Sequence, residues 1–261
     1  MVEKLLVYER DAFLALNGCH SPFWDNFMWI YTGKVIWLPL AAFILFVLFY
    51  KKDWRESLFI ALAIALVITL CDQFASGFCK DYFHRFRPTH HPDFKDLVHT
   101  VFNYRGGRYG FISSHAANAF GFAMFMTLLM RDKIFGWTIF LWAAVTAYSR
   151  IYIGVHFITD IIPGALSGLF FGALVYYLYA AARRKWLKDR VPDFVDNPAD
   201  RYSGKRKHLI VCAIFLTVSV IVLGNELIVA RCVKMRTSFF YAQSPDFHKL
   251  GLCYYLKILY L

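Results

Sequence analysis

Charge is scarce in this sequence. Only 18% of its 261 residues are Asp, Glu, Lys or Arg, against roughly a quarter in a soluble domain. The apolar residues, 59% of the chain, fall in long runs, and mean hydropathy is +0.45. That pattern excludes an ordinary soluble globule and indicates a membrane protein. Acidic residues are scarcer still, 18 against 29 Lys and Arg, which leaves a formal charge of +11. No basic–aromatic motif for reading bases accompanies this excess, so it points to anionic lipid rather than nucleic acid. The six cysteines (Cys19, Cys71, Cys79, Cys212, Cys232 and Cys253) lack the close paired spacing of a zinc site. They read as small hydrophobes, two of them inside apolar runs. No cleavable leader is expected, because Glu3, Lys4, Glu9, Arg10 and Asp11 interrupt the start before an apolar core of sufficient length forms.

What is present is a series of apolar segments separated by polar turns. From Met1 to Phe27, apolar residues such as Leu6, Phe13 and Leu16 alternate with charges, predicting an amphipathic segment on the membrane surface. The aromatic residues Phe23, Trp24, Phe27, Trp29 and Tyr31 fall where an interfacial belt belongs. Six spans are expected, over residues 33–50, 57–79, 113–130, 134–153, 157–181 and 209–230. The second carries Asp72, an acidic group expected to face the bundle interior and brace helices. Gly164, Gly168 and Gly172 recur at four-residue spacing in the fifth span, predicting a smooth face for a closely packed neighbour. The turns KKDWRE and RDK and the basic stretch 183–208 share one side if the spans alternate, and their Lys and Arg content makes that side cytoplasmic. The long loop 80–112 and the turn 154–156 then lie on the outer face. At 33 residues by its bounds, that loop exceeds a normal helix connection, which suggests a function or a small folded cap. Residues 231–261 show no clear pattern.

The chemistry-bearing residues fall in three clusters. In SRIYIGVHFITD, from Ser149 to Asp160, Arg150 is followed by His156 and then by Asp160 four residues on. Positions four apart on a helix share a face, so the Asp160 carboxylate is expected to hold the His156 ring and leave its far nitrogen free to attack. Arg150 adds a permanent fork-shaped cation for phosphate oxygens. In KDYFHRFRP, Lys80 and Arg87 are seven apart, about two helical turns, and are expected to project to one side. Ser113, Ser114 and His115 open the third span, where a serine caps the helix and the free N–H groups of the first turn bind anions. Each cluster alone also fits a plain structural role: a bracing His–Asp pair, snorkelling cations, an ordinary N-cap.

Together the three clusters resemble the type 2 phosphatidic acid phosphatase family, which shares its site with vanadium haloperoxidases. The family pattern is Lys-x6-Arg-Pro, then Pro-Ser-Gly-His, then Ser-Arg-x5-His-x3-Asp. Lys80, Arg87 and Pro88 match the first in full, and Ser149, Arg150, His156 and Asp160 the third. The second is partial, with Ile112 in place of Pro and Ser114 in place of Gly. The resemblance implies a six-helix, all-α membrane bundle with an N-terminal interfacial helix, residues 1–230 forming the phosphatase unit. It implies hydrolysis of a lipid phosphate or diphosphate (undecaprenyl diphosphate, lipid A, phosphatidylglycerol phosphate or phosphatidic acid) through a phosphohistidine. His156 would be the nucleophile, Asp160 its orienting group and His115 the general acid and base. Lys80, Arg87, Arg150, Ser113 and Ser114 would hold the phosphate, with no cofactor and no metal. The expected partners are the substrate and membrane lipids, and the expected place is a bacterial inner membrane with the site on the periplasmic face. A haloperoxidase-like enzyme using vanadate and a non-catalytic lipid-binding protein are the competing readings.

Overall fold

The structure, a computed structural model, describes residues 6–191 and 194–241, with side chains through Ala230. The expectations for Glu3, Lys4, Cys253 and the side chain of Cys232 lie outside the described residues. So does the chain after Tyr241. Within them every regular element is a helix, and one isolated bridge joins Phe86 to Tyr109. Helices α1 (Leu6–Asn17) and α2 (Pro22–Thr32) come first, and α3 (Leu38–Phe49) follows a bend of 67° after α2. A long rod comprises α4 (Trp54–Asp72), a π-helical segment (Gln73–Cys79) and α5 (Lys80–Phe83). After a cap built from residues 84–113 come α6 (Ser114–Met130), α7 (Lys133–Tyr152), α8 (Ile158–Leu187) and α9 (Gly204–Tyr241).

Caps set several of these boundaries. Asp53 accepts from the N–H groups of Arg55 and Glu56 at the head of α4, and Asp132 accepts from Phe135 at the head of α7. Ser21 caps α2, with Pro22 supplying the preset φ of its first position. Among the described residues four helices are long and apolar enough to cross a membrane, and the bent pair α2–α3 adds a fifth if it counts as one span. Helix α6 has 17 residues, about 26 Å at 1.5 Å each, and only with it does the number reach the expected six.

The core of the bundle is the crossing of α6 and α8, and small residues make it possible. A Cβ on Gly168 would lie 2.3 Å from the Ala117 carbonyl oxygen and 2.8 Å from the Gly121 nitrogen. One on Gly172 would lie 2.4 Å from the Gly121 oxygen. The groove predicted on α8 is therefore real, and it receives the backbone of α6 itself.

The opposite end of the bundle from the cap gathers the three basic turns. Arg183 and Arg201 both pair with buried Glu56, Arg201 also bonds Ser57, and Arg206 donates to the Tyr50 carbonyl. The sequence assigned Arg183 to a loop. It is instead a fully buried residue of α8, because Glu56 and two loop carbonyls satisfy its guanidinium.

Helix α1 also differs from expectation. Its Glu9, Phe13 and Asn17 are one face of the helix and all are buried, while Val7 and Tyr8 face outward. Asn17 donates to the carbonyls of His99, Ile151 and Tyr152 and accepts from the His99 N–H. The polar face of α1 is thus bonded to protein.

Candidate active site

Helix α7 ends at Tyr152 and α8 begins at Ile158, so His156 lies in the connection between them. Gly154 turns the chain with φ +78°, a left-handed conformation that glycine adopts without strain. The N–H groups of Val155 and His156 fold back onto the Arg150 carbonyl at 3.0 and 3.3 Å. His156 and Asp160 therefore do not share a helical face, contrary to the spacing argument. Their approach has another cause. Asp160, in the first turn of α8, bends its Oδ2 back to accept the Phe157 N–H at 3.0 Å, and this sets the same oxygen 3.4 Å from His156 Nδ1. That separation exceeds a formed hydrogen bond, and Nδ1 has no other partner.

The second Asp160 oxygen carries a network that the sequence did not reveal. Oδ1 accepts from Arg85 Nη1 at 2.7 Å. The other arm of Arg85 bonds Glu9 of α1, and its guanidinium lies 4.6 Å from the centre of the Phe157 ring. Glu9 in turn accepts from the Thr159 N–H at 2.9 Å and from its hydroxyl at 2.7 Å. Arg85 and Asp160 are wholly buried and Glu9 nearly so. Asp160 is thereby fixed from two sides.

Lys80 and Arg87 reach the site by different routes. The helix stops at Phe83, where His84 turns left-handed at φ 47°, and Arg87 sits on an extended segment whose N–H bonds the Arg108 carbonyl. Two helical turns do not connect them. Lys80 follows directly on the π segment, a distortion found often at functional sites because it re-aims the residues after it. Its Nζ donates to Ser76 at 3.0 Å, and Asp72 contributes its field to it. Arg87 donates from Nε to the Tyr109 carbonyl, and Gly110 lets it come close to Asp160. A Cβ on Gly110 would lie 3.1 Å from both Arg87 Cγ and Asp160 Oδ2.

Ser113 caps α6 as predicted, accepting from the Ala116 N–H. Its own N–H is committed to the Asp160 carbonyl at 3.0 Å, so it is not among the first-turn amides open to an anion. That same bond ties the start of α6 to the start of α8. Arg150 is buried, with Nη1 donating to Thr32 at 2.6 Å and Tyr104 beside it. Lys34, absent from the sequence expectations, adds its field at His115.

Around His156 stand Arg87, Arg150, Lys80 and His115. Burial first, and then the fields of these four groups, hold its pKa well below the 6.5 of an ordinary imidazole. The ring is therefore neutral and nucleophilic at physiological pH. Burial likewise works against the charge of Arg87, while Tyr104 and Asp160 favour it. Arg87 Nη1, Arg150 Nε and His115 Nε2 are buried polar atoms without a hydrogen-bond partner. Such orphans call for a ligand, and donors beside two guanidiniums and an ammonium suit an anion with several oxygens. The cluster can bind a phosphate, attack it with a neutral imidazole and pass a proton to or from it.

Comparison with known proteins gives three findings. The PAP2 superfamily profile matches residues 58–184. A lipid A 4′-phosphatase of Porphyromonas gingivalis is 48% identical over 203 residues, 78% of this chain and 85% of that protein, and one of Bacteroides thetaiotaomicron is 42% identical over 68% and 80%. A crystal structure of Aquifex aeolicus LpxE aligns with TM-score 0.49 and 26% identity, covering 65% of this chain and 95% of that one.

Proposed function

Since the chain belongs to the PAP2 superfamily, we propose that it is an integral membrane phosphatase that removes a phosphate group from lipid A. The substrate class rests on the 48% identity with a lipid A 4′-phosphatase across 85% of that protein. One structural observation supports the chemistry: a buried His156, its charged form disfavoured by burial and by the cations around it, lies 3.4 Å from Asp160 among Lys80, Arg87 and Arg150.

In this reading the Asp160 carboxylate faces Nδ1 at 3.4 Å, so Nε2 of His156 attacks phosphorus. A phosphorus–nitrogen bond forms as the bond to the sugar oxygen breaks, and His115 gives that oxygen its proton. Water then attacks the phosphohistidine, His115 takes its proton, and inorganic phosphate leaves. Lys80, Arg87, Arg150 and the amides of Ser114 and His115 hold the oxygens throughout, with Ser113 keeping that turn in place. Positioning and preorganised charge do most of the work in such transfers.

The six-span reading takes α2–α3, the α4–α5 rod, α6, α7, α8 and α9 as the spans, with α1 lying along the interface and Val7 and Tyr8 turned to lipid. Residues 1–230 make up the phosphatase unit and 231–261 stand outside it, although α9 continues without a break to Tyr241. The basic turns meeting around Glu56, at the end opposite the site, support a cytoplasmic position for them and a periplasmic one for His156. The test is phosphate release in detergent from lipid A, phosphatidylglycerol phosphate, undecaprenyl diphosphate and phosphatidic acid. Lipid A should be hydrolysed fastest, with loss of one phosphate and no release by His156→Ala. Binding without release from any lipid, or halide oxidation with added vanadate, refutes the proposal.

A further inference from the structure

A second cluster of chemically capable side chains lies away from the phosphate-handling residues. His20 is in the link between α1 and α2, Asp25 is in the first turn of α2, and His99 comes from the cap. Each offers a donor atom, and the three atoms lie within 4.8 Å of one another. His20 Nδ1 is 2.6 Å from Asp25 Oδ1, and the His20 side chain is only 10% exposed. Its buried Nε2 has no partner. The rings of His20 and His99 stack with centroids 3.5 Å apart, a contact open to two neutral imidazoles and costly for two cations. Neutral imidazole is the form in which histidine binds a metal.

From these observations we infer that His20, Asp25 and His99 form a divalent-metal site suited to zinc, which fastens the α1–α2 link and the cap to the turn that carries the active site. Two imidazoles and one carboxylate are a common zinc donor set, with a fourth position left for water. Tetrahedral zinc ligands at bond lengths near 2.1 Å stand about 3.4 Å apart, so binding asks His20 and Asp25 to open from their 2.6 Å contact and the His99 ring to turn off its stack. His99 is exposed, which leaves it free to turn and gives the ion a way in.

An outer layer of hydrogen bonds already holds the ligands. Tyr152 donates to Asp25 Oδ1 at 2.7 Å. Asn17 grips the His99 backbone on both sides, at 2.9 and 3.1 Å, and reaches the carbonyls of Ile151 and Tyr152. Partners of this kind orient metal ligands and tune their affinity. Tyr152 lies between Arg150 and His156 in the chain, so an ion bound here steadies the catalytic turn without touching phosphate.

The full chain, purified in detergent and stripped of metal, is titrated with zinc chloride against a chromogenic chelator, and its melting temperature is followed. One zinc per chain is expected, with melting temperature rising with zinc concentration. His20→Gln and His99→Gln should reduce the bound zinc to none and abolish the rise, while His99→Cys, which keeps a zinc donor, should retain both. The inference fails if wild-type protein takes up no zinc at micromolar concentration, or if both glutamine variants keep the full stoichiometry. Binding is read without any turnover, so the result stands apart from the phosphatase assignment.

Discussion

Arg85→Met tests the network beneath His156, the proposed nucleophile. The substitution keeps an unbranched apolar stem over Phe157 and removes the guanidinium shared by Glu9 and Asp160. Two carboxylates then remain in a site where Arg85 and Asp160 have no solvent exposure and Glu9 has 5%. Removing one partner of a buried ion pair costs about 3–5 kcal/mol, and here one removal strands two anions, so the upper half of that range is expected. Glu9→Gln on the same background takes away one of them and should recover part of the loss. The coupling between the two positions should be about 1–3 kcal/mol. Unfolding in detergent micelles measures the stability. Kinetics separate stability from positioning: Lys80, Arg87 and Arg150 are untouched, so KM should hold while kcat falls, because Asp160 is no longer fixed beside the His156 ring. Arg85→Lys, which keeps the charge without the fork, should fall between. A loss below about 1 kcal/mol with additive effects at Glu9, or a change confined to KM, refutes the reasoning.

Other expectations follow from the same geometry. His156→Ala should abolish turnover on every substrate. His115→Ala should lose about 10²–10⁴-fold on lipid phosphate and recover with a nitrophenyl phosphate, whose leaving group needs no proton; equal rescue of both reverses the roles. Folded His156 resists protonation, whereas the unfolded chain takes up that proton as pH falls through 6.5. Its contribution to stability is therefore complete above 6.5 and lost below it, and the acid limb of kcat should have its midpoint under 6.5; a midpoint at or above that value contradicts the neutral nucleophile. Gly168→Ala places a methyl against backbone atoms that cannot rotate away, so it should destabilise by about 3 kcal/mol. Gly204→Ala, with nothing within 4 Å, should be tolerated, and equal melting temperatures for the two would show that α6 yields. EDTA should lower the melting temperature by emptying the His20, Asp25 and His99 site while turnover persists below it; loss of turnover that magnesium restores, or that zinc restores in His20→Gln, refutes metal-independent chemistry.

Much of this was legible because local patterns encode local geometry. The glycine spacing in α8 marked a close crossing, Ser113 marked a helix start, and the residues of three short motifs meet in one cluster around His156. What failed were inferences that extended helical geometry past its ends. Lys80 and Arg87 were placed on one helix, but His84 turns left-handed between them. His156 and Asp160 were given a shared face, yet capping geometry brings them together. Contacts across long stretches of chain left no trace at all. Glu9 has the spacing of an interfacial helix, and periodicity says which residues share a face without saying whether water or Arg85 meets it. His20 and His99 are likewise remote in sequence, and no spacing rule joins them.

The bonds that Glu9 and Asn17 make have a consequence in time. Glu9 bonds Thr159 across 150 positions, and Asn17 bonds Tyr152 across 135. At 5–20 residues per second of synthesis, Glu9 waits about 8–30 s for that partner. During that interval the Glu9 carboxylate and the Asn17 amide have water in place of these partners. Closure of α1 onto the bundle is therefore a late event in biogenesis, and it takes place only in chains whose later helices are already in register. A nascent chain with a misplaced α7 or α8 leaves α1 undocked and displays a charged, accessible segment to proteases.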